Sequence, residues 1–521
     1  MPTDTAATSA ATLRRRRQRQ RQRQRQRETR LGSSLPAWIL LNRDPYIGSR
    51  SNDTTAIGEG RDNSRIEVSL WPSPPPLSSN VYLFCPGIEF PEHPAILYTA
   101  EDLLLLRIPV AMDEFEEQVM IPKDCDYIIY RPGKSRSLQL IPNPEPRLFL
   151  DEDVCILPRG GGGELYTIAA LVDTSQPNQY ELYRFDSEVG SWTSKVLSME
   201  APRKPYPVKI PNNTGRLHLH ITSTVIPLGG EAGTMGWVDL WSGILLYDLL
   251  REEDPDRPPT VRHMPLPLPM CAITFNHGLG LELGEPRPVR GIAACFKSGK
   301  ATCLKLAELQ RNWECLPSTD IETGLPVFIA HGWSVTIWSN NNMAADSSFE
   351  DWHQDFKLHA SEIKISDAMR SELLSAGLLH RKPSQHGDNA TELALHNLFV
   401  SEPAPSMNGE EDVVFLMARP KFLYPKVWAL SLDMKSGTLL GASEFGTEKD
   451  LRGGVFYHPS TISSYMNLET TTVYNWNLKI GPSAASLWYF VGAIKGTHVD
   501  DDVCRANSGG VSRSVGVSSE S

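Results

Sequence analysis

Residues 225–250, VIPLGGEAGTMGWVDLWSGILLYDLL, contain the strongest fold signal in the chain. Trp237 and Trp241 fall on one parity of a short segment in which apolar residues hold the alternate positions. A period of two with aromatic side chains on one face predicts a β-strand. Ser242-Gly243 is a turn dipeptide, and residues 244–250 form an apolar run of strand length. The stretch therefore predicts a strand, a tight turn and a second, buried strand.

Residues 164–197 contain the clearest example of a larger unit. An apolar segment, an alternating segment and a segment that opens on Trp192 are separated by two turn sequences. This order predicts a three-stranded antiparallel meander, the unit of kelch-type propeller blades. Comparable units begin near residues 236, 291 and 413. The unit near 291 is predicted to comprise strands at 292–296, 301–306 and 313–316.

The predicted fold is therefore mainly β and β-propeller-like, with six or seven irregular blades of antiparallel meanders, one or two inserted helices and disordered termini. The domain boundaries are a disordered Arg/Gln-rich arm at residues 1–34, one propeller-like domain at 35–467 and a weakly structured tail at 468–521. A helical insertion is predicted near 367–380, with Asp367 at the N-cap and Gly377 close to the end.

Composition favours short elements joined by turns, because 78 of the 521 residues are Gly or Pro. The net charge is −11, yet residues 1–30 carry ten arginines against two acidic residues. The remaining chain is strongly acidic, which argues against general nucleic-acid binding by the folded body. Only the arm could contact nucleic acid. It could equally be a nuclear-localisation signal, an organelle transit peptide, a calmodulin-type target or a repeat with no selected role.

The eight cysteines are scattered and include no Cys-x-x-Cys pair, which gives no support for a zinc ribbon or a thioredoxin-like motif. No secretory signal and no apolar run of transmembrane length are present in the sequence. We therefore expect an intracellular protein of the cytoplasm, the nucleus or both, with organelle targeting by the arm left open, and no membrane partner.

Motifs for catalysis or metal binding are weak. His218 and His220 would share one face of a strand, but no third metal ligand is evident. Cys295, Cys303 and Cys315 fall within one predicted unit, where core packing explains them better than a thiol site. Asp239 is interpreted as an exposed or turn-bonded carboxylate beside the hairpin. No catalytic, cofactor-binding or metal-binding residue and no cofactor are predicted.

The chain resembles the plant family called domain of unknown function 1618, which is expanded in grasses. The most specific of the segments that carry the resemblance is 233–249, GTMGWVDLWSGILLYDL. The others are 36–43 (PAWILLNR), 164–171, 262–269 (RHMPLPLP), 332–333 and 412–418 (DVVFLMA). The resemblance implies a propeller-like body similar to the domains that follow F-boxes in plant substrate adaptors. It implies no known activity.

Two classes of function remain as hypotheses. The first is a non-catalytic protein–protein interaction scaffold whose loops bind protein partners of unknown identity. The second is a hydrolase acting on a sugar or an ester, with carboxylates in a central channel. A weaker alternative is an adaptor-like protein without its F-box, because residues 1–60 show no F-box helix pattern. The absence of a catalytic motif favours the scaffold, so Trp237 and Trp241 are predicted to serve packing rather than chemistry.

Overall fold

The computed structural model describes residues 35–466 with internal gaps. The gaps are residues 62, 112–123, 134, 145–148, 161–163, 201–202, 252–255, 257, 298, 321–323, 325, 343–346, 380, 383–390, 393, 408–410 and 446–456. The predicted arm at 1–34 and the predicted tail at 468–521 lie outside the described residues.

Six groups of mainly antiparallel strands, blades 1 to 6, follow one another along the chain, and blades 3, 4 and 5 are joined edge to edge in one twelve-stranded sheet. Blade 1 contains β1 (Ile39–Asn42), β2 (Tyr46–Ile47), β3 (Ala56–Glu59), β4 (Arg65–Trp71), β5 (Ser78–Phe84) and the late strand β28 (Tyr457–Ser460). Blade 2 contains β6 (Ala95–Ala100), β7 (Leu103–Ala111), β8 (Asp124–Arg131) and β9 (Ser137–Ile141). Blade 3 contains β10 (Val154–Arg159), β11 (Leu165–Asp173), β12 (Gln179–Asp186) and β13 (Ser191–Met199).

The second half of the chain continues the pattern. Blade 4 contains β14 (Thr224–Gly229), β15 (Thr234–Asp239), β16 (Gly243–Asp248) and β17 (Thr260–Pro265). Blade 5 contains β18 (Arg290–Lys297), β19 (Lys300–Thr319), β20 (Pro326–Asn340) and β21 (Trp352–His359). Blade 6 contains β24 (Phe399–Pro405), β25 (Val413–Arg419), β26 (Val427–Asp433) and β27 (Thr438–Phe445). A small hairpin of β22 (Arg381–Lys382) and β23 (Thr391–Glu392) lies between blades 5 and 6.

Apolar layers between successive blades hold the sheets together. Because side chains alternate across a strand, one strand supplies two layers. In β15, Trp237 packs in the layer between blades 3 and 4, whereas Val238 packs between blades 4 and 5. Six such layers link blades 1–2, 2–3, 3–4, 4–5, 5–6 and 6–1 in a closed cycle.

The two ends of the described chain meet in blade 1. Strand β28 pairs antiparallel with β1, from Ile39 opposite Ser460 to Asn42 opposite Tyr457. Ser463 Oγ also donates a hydrogen bond to the Pro36 carbonyl at 2.7 Å. The last blade packs on this joint through Leu40, which contacts the layer containing Phe415 and Val427. The ring is therefore closed by a sheet made from both ends.

The meanders predicted near 165, 236 and 413 are present as β11–β13, β15–β17 and β25–β27. The prediction for the unit near 291 is wrong in its third strand. Residues 313–316 belong to β19 itself, which extends to Thr319 across a bulge at Asn312 and Trp313. No turn interrupts residues 307–312, and the true third strand is β20.

Three α-helices occur in the described residues. They are α1 (Met270–Gly278), α2 (Asp367–Ala376) and α3 (Ile462–Tyr465). The predicted insertion is α2, but its N-cap is Ser366, whose Oγ accepts a hydrogen bond from the Met369 amide at 3.2 Å. Gly377 ends the helix in the left-handed region with φ of +83°, as its position predicted. None of these helices is long and apolar enough to cross a membrane.

One side of the ring carries extra structure, and we call it the upper face. It is the side on which β15 turns into β16, β19 into β20 and β25 into β26. Two links cross it, residues 203–223 and 266–289, which together form the cap. They join through a shared apolar cluster and through Asn213, whose Nδ2 donates to the Gly280 carbonyl at 3.3 Å. The extended β19–β20 hairpin stands on the same face, packed on blade 6 through Trp313 and Phe399.

Replacing Trp237 with Ala should destabilise the protein by about 3–5 kcal/mol, the usual cost of removing a large buried aromatic side chain. Trp237 is 0% exposed, and its Nε1 donates to the Asp153 carbonyl at 2.7 Å, so the change removes packing and a buried hydrogen bond. Urea unfolding followed by circular dichroism measures the loss. Trp192→Ala, at a partly exposed tryptophan of blade 3, is the control and should cost less. Equal losses of unfolding free energy in the two variants would contradict the packing role of Trp237.

Candidate functional site

A cavity of about 430 Å³ opens on the upper face between the cap, the β19–β20 hairpin and the inner strand β24. Its size is in the range of small-ligand sites. Much of the wall is aromatic, contributed by Trp241, Phe275, Trp313, Phe399 and Phe422. Three of these rings form one group, since the Trp313 centroid lies 5.0 Å from that of Phe399 and 5.9 Å from that of Phe422.

Asp239 anchors the cap above this cavity. It is 0% exposed, and its Oδ1 accepts a hydrogen bond from the Trp241 amide at 2.9 Å. Its Oδ2 accepts from the Arg216 Nη1 at 2.7 Å and from the Ile221 amide at 2.8 Å, both in the cap. Asp239 is thus a turn-bonded carboxylate, as one interpretation proposed, but it is buried rather than exposed. The Ser242 amide also donates to Oδ1, at 3.4 Å, and these four donors give Asp239 a structural role.

A buried ion pair forms the wall beside Trp241. Arg290 is 1% exposed, and its Nη2 lies 2.7 Å from the Glu308 Oε2. Its Nη1 donates to the Leu240 carbonyl at 3.0 Å, and its guanidinium lies over the Trp241 ring at 5.1 Å from the centroid. Its Nε has no hydrogen-bond partner among the described residues. The two charges are nevertheless paired with each other, so this pair shapes the cavity and leaves little free charge for a ligand.

Charged residues of blades 1 and 2 and of the segments that precede blades 3 and 5 form one cluster. Arg43 of blade 1 donates to Glu152 at 2.6 Å and to Asp151 at 3.0 Å. Arg107 of blade 2 also binds Asp151, at 2.7 Å. Burial alone would raise the pKa of Glu152, but Arg43 and Arg287 hold it at about 2. Glu152 is therefore an ionised partner of these two arginines.

Glu402 differs from those carboxylates. It lies in β24 at a bulge between Ser401 and Ala404, with a φ of +52°, and lines the cavity. Its backbone is held on both sides, because its amide donates to the Pro288 carbonyl at 3.3 Å and its carbonyl accepts from the Tyr457 hydroxyl. Within the described part of the chain, its carboxyl makes no hydrogen bond or ion pair.

The electrostatic environment of Glu402 favours its neutral form. Burial raises its pKa to about 7, against the opposing effect of Arg287, and the neighbouring Glu285 carboxyl adds to the rise. Glu285 lines the same cavity, and burial raises its pKa as well. The cavity therefore holds two carboxyls that are both shifted towards protonation.

Arg311 is the cationic counterpart of Glu402 in this cavity. Its guanidinium lies over the Trp313 ring at 4.2 Å from the centroid. Burial lowers its pKa to about 10, and the Glu402 charge opposes that change. The two groups influence each other but are too far apart for an ion pair, and Arg311 makes no hydrogen bond to any described residue. Arg311 and Glu402 thus face one cavity without forming an ion pair.

The histidine and cysteine candidates do not converge on this cavity. His218 ends a 3₁₀ helix (Asn212–His218), so the predicted strand pair with His220 is wrong. Burial lowers the pKa of His220 to about 3. Cys295 and Cys303 are opposite partners on β18 and β19 whose thiols share a hydrogen bond, whereas Cys315 lies farther along β19. Among the described residues, no group of three or more His, Cys, Asp or Glu is placed to bind a metal.

Sequence reasoning missed Glu402 and Arg311. Only Pro403 and Pro405, which are unusual in an inner strand, signal the bulge that positions Glu402. The stacking of Arg311 on Trp313 requires that residues 307–313 be recognised as a single continuous strand. The two residues are also far apart in the sequence, so no local pattern joins them.

A closed ring of six blades, each a meander of strands, is a β-propeller. Part of the chain also matches a known protein family. Residues 237–415 match the family described as "Protein of unknown function (DUF1618)", the family that the sequence motifs predicted. The matched segment contains α1, the β19–β20 hairpin and Glu402. Comparison with curated protein sequences gives no match.

Solved structures with a distant likeness include the WD40 domain of SCAP from fission yeast, at 10% identity and a TM-score of 0.27, with 79% of this chain and 90% of that chain covered. The assignment of the fold rests on the sheets and apolar layers described above.

Replacing Gly291 with Ala should destabilise the protein by about 1–3 kcal/mol, as expected for overpacking. A Cβ at Gly291 would lie 1.8 Å from the Pro403 carbonyl oxygen, so β18 and β24 would have to move apart beside Glu402. Gly284→Ala is the matched control, because a Cβ there meets no atom within 4 Å. Thermal unfolding of both variants tests this, and a Gly291→Ala variant as stable as the control would refute it.

Glu402 should make stability depend on pH. Its pKa is near 4.5 when unfolded and about 7 when folded, so the folded state binds the proton more tightly. Stability contributed by the protonated form is therefore present below pH 4.5 and is lost as pH rises to about 7. Between pH 5 and pH 8 this group should lower the free energy of unfolding of the parent by on the order of 2 kcal/mol. The Glu402→Gln variant should not show that decrease. Urea unfolding at pH 5 and pH 8 measures it.

The comparison must be between the variant and the parent protein at each pH. Burial also raises the pKa of Asp153 to about 7, which adds a similar slope to both proteins. Parallel stability profiles for the parent and Glu402→Gln would show that Glu402 titrates normally.

Proposed function

We propose that this protein is a non-catalytic interaction scaffold, acting in the cytoplasm or nucleus, whose upper face binds a protein partner. The observation that carries the proposal is the exposure of large apolar side chains on the cap. Leu279 is 61% exposed, Leu219 57%, Ile221 49% and Met270 43%. Apolar side chains gathered on one built-up face, beside a cavity, are typical of an interaction site.

The arrangement of the added structure supports this proposal. Both cap links and the long β19–β20 hairpin extend the upper face. Their inner surfaces pack into the fold through clusters that include Leu217, Ile273 and Trp313. The outer surfaces leave apolar groups in solvent, where exposure costs free energy that a partner would recover. Insertions that build a surface around a cavity suit recognition.

The proposal is tested by comparing partner capture between matched surface variants. Met270→Asp combined with Leu279→Asp places charges on the cap, and should lower proximity labelling and co-purification of reproducible partners at least tenfold. Val189→Asp combined with Leu440→Asp changes residues that are 71% and 53% exposed elsewhere, and should leave capture unchanged. The proposal fails if the parent recovers no reproducible partner or if both double variants behave alike.

A hydrolase is the second candidate, favoured by the placement of Glu285 and Glu402 in one cavity with no ion pair from a described residue to either carboxyl. An acid and a base formed by two carboxyls need pKa values that are pushed apart, one group protonated and one ionised. Burial instead raises the pKa of both groups here, so their pKa values shift in the same direction. The electrostatics therefore favour binding over hydrolysis.

Activity assays separate the two candidates. The parent protein should hydrolyse nitrophenyl glycosides and nitrophenyl esters no faster than the Glu402→Gln or Glu285→Gln variant. A parent rate at least tenfold above both variants would establish the hydrolase and overturn the scaffold.

A further inference from the structure

The upper-face cavity has a charge pattern that selects among ligands. Arg311 and Glu402 face it with no hydrogen-bond or ion-pair partner in the described residues. Arg290 and Glu308 instead pair with each other, although the buried Arg290 Nε lacks a hydrogen-bond partner among the described residues. A group left without a partner in a recessed, partly buried site costs free energy until a ligand supplies one. The two free groups therefore define what a ligand must offer.

We infer that this cavity is a pocket for a carboxylate on an acidic side chain of the partner, with Arg311 as the residue that binds it. The inference rests on the proposed function and specifies the chemistry of the same surface. Arg311 suits this task, because a guanidinium presents a planar pair of donors that matches the two oxygens of a carboxylate. The Arg311 guanidinium lies 4.2 Å from the centroid of the Trp313 ring, and this stacking fixes the plane of its donors before a ligand binds.

The surrounding charges favour an anion over a cation. Glu402 is faced by Arg287 and Glu285 from the segment before β18, Arg311 from β19, Arg419 from β25 and Tyr457 from β28. The lining also includes Glu282, and Arg290 is already paired with Glu308. Because burial favours the neutral form of Glu402, the guanidinium of Arg311 is the unpartnered charge that a ligand meets beside Trp313. A lysine or arginine side chain would be repelled by Arg311, whereas a carboxylate would be attracted.

The walls favour a carboxylate carried on an aliphatic stem. Trp313, Phe399 and Phe422 form an apolar surface beside the Arg311 guanidinium. A glutamate side chain can pack its methylene groups there while its carboxylate reaches Arg311. Inorganic phosphate has no such apolar part and would leave the aromatic surface uncovered.

Glu402 adds pH dependence to the pocket. When protonated, it donates a hydrogen bond to the bound carboxylate, and when ionised it repels the same group. Binding should therefore weaken as pH rises from 6 to 8. Glu402→Gln retains a donor without the charge, so the variant should bind at pH 8 as the parent does at pH 6.

The test uses the full-length protein and small blocked probes, measured by saturation-transfer NMR titration. N-acetyl-glutamate N-methylamide should bind at least ten times more tightly than the glutamine and lysine analogues. N-acetyl-leucine tests a terminal carboxylate, and inorganic phosphate, which has no observable protons, tests a free anion by competition with the glutamate probe. Arg311→Gln should weaken glutamate binding at least tenfold, whereas Arg311→Lys should restore part of it.

Arg50→Gln is the matched control, because Arg50 also stacks on a tryptophan, Trp71, at 3.6 Å but lies in blade 1 and does not line the cavity. It should leave binding unchanged. The inference is overturned if the lysine probe binds best, if glutamate and glutamine bind equally, if no probe binds, or if Arg311→Gln has no effect. Preference for N-acetyl-leucine or phosphate would overturn the assignment to an acidic side chain.

Failure of this inference can be distinguished from failure of the proposed function. If cap variants lose the partner but no carboxylate probe binds, the scaffold stands and the pocket assignment fails. If glutamate binds through Arg311 but cap variants retain every partner, the pocket stands and the protein-binding face is elsewhere.

Discussion

Burial of both faces of every blade is the constraint on which the structure depends. A sheet with two apolar faces must have a neighbour on each side, and only a closed arrangement gives all six sheets two neighbours. The alternation of Trp237 and Val238 into different layers shows how one strand meets this requirement twice. The cap, the long hairpin and the cavity are additions to a ring whose stability comes from these layers.

The same alternation explains what could be predicted from sequence. Strands that bury large residues on both sides, such as β11 and β15, have short apolar patterns bounded by turns, and these were located correctly. Strand β24 was missed because FVSEPAP contains two prolines and a glutamate, which oppose the strand pattern locally. Strand β19 was divided because its polar residues Gln310, Arg311 and Asn312 resemble a turn. They remain extended because backbone pairing with β20 holds them.

The candidate site was harder to predict than the fold for a physical reason. A blade is a local object whose strands are consecutive, so nearby residues contain its pattern. The cavity instead depends on the meeting of β19, β24 and the cap, and on the absence of an ion pair between Arg311 and Glu402. Whether two opposite charges neutralise each other is decided by a few ångströms of backbone position. A bulge at Glu402 and a stacking ring at Trp313 set that position here.

The joint between β1 and β28 has a consequence for how the chain is made. Each blade except the first can form as soon as its own residues leave the ribosome, because its strands are neighbours in sequence. The edge of β1 has to wait for residues 457–460, the last described strand. During translation the backbone groups of Ile39–Asn42 that pair with β28 are unpaired, and such edges recruit other strands. The nascent protein is therefore most exposed to misassembly at its first blade until residues 457–460 have been synthesised.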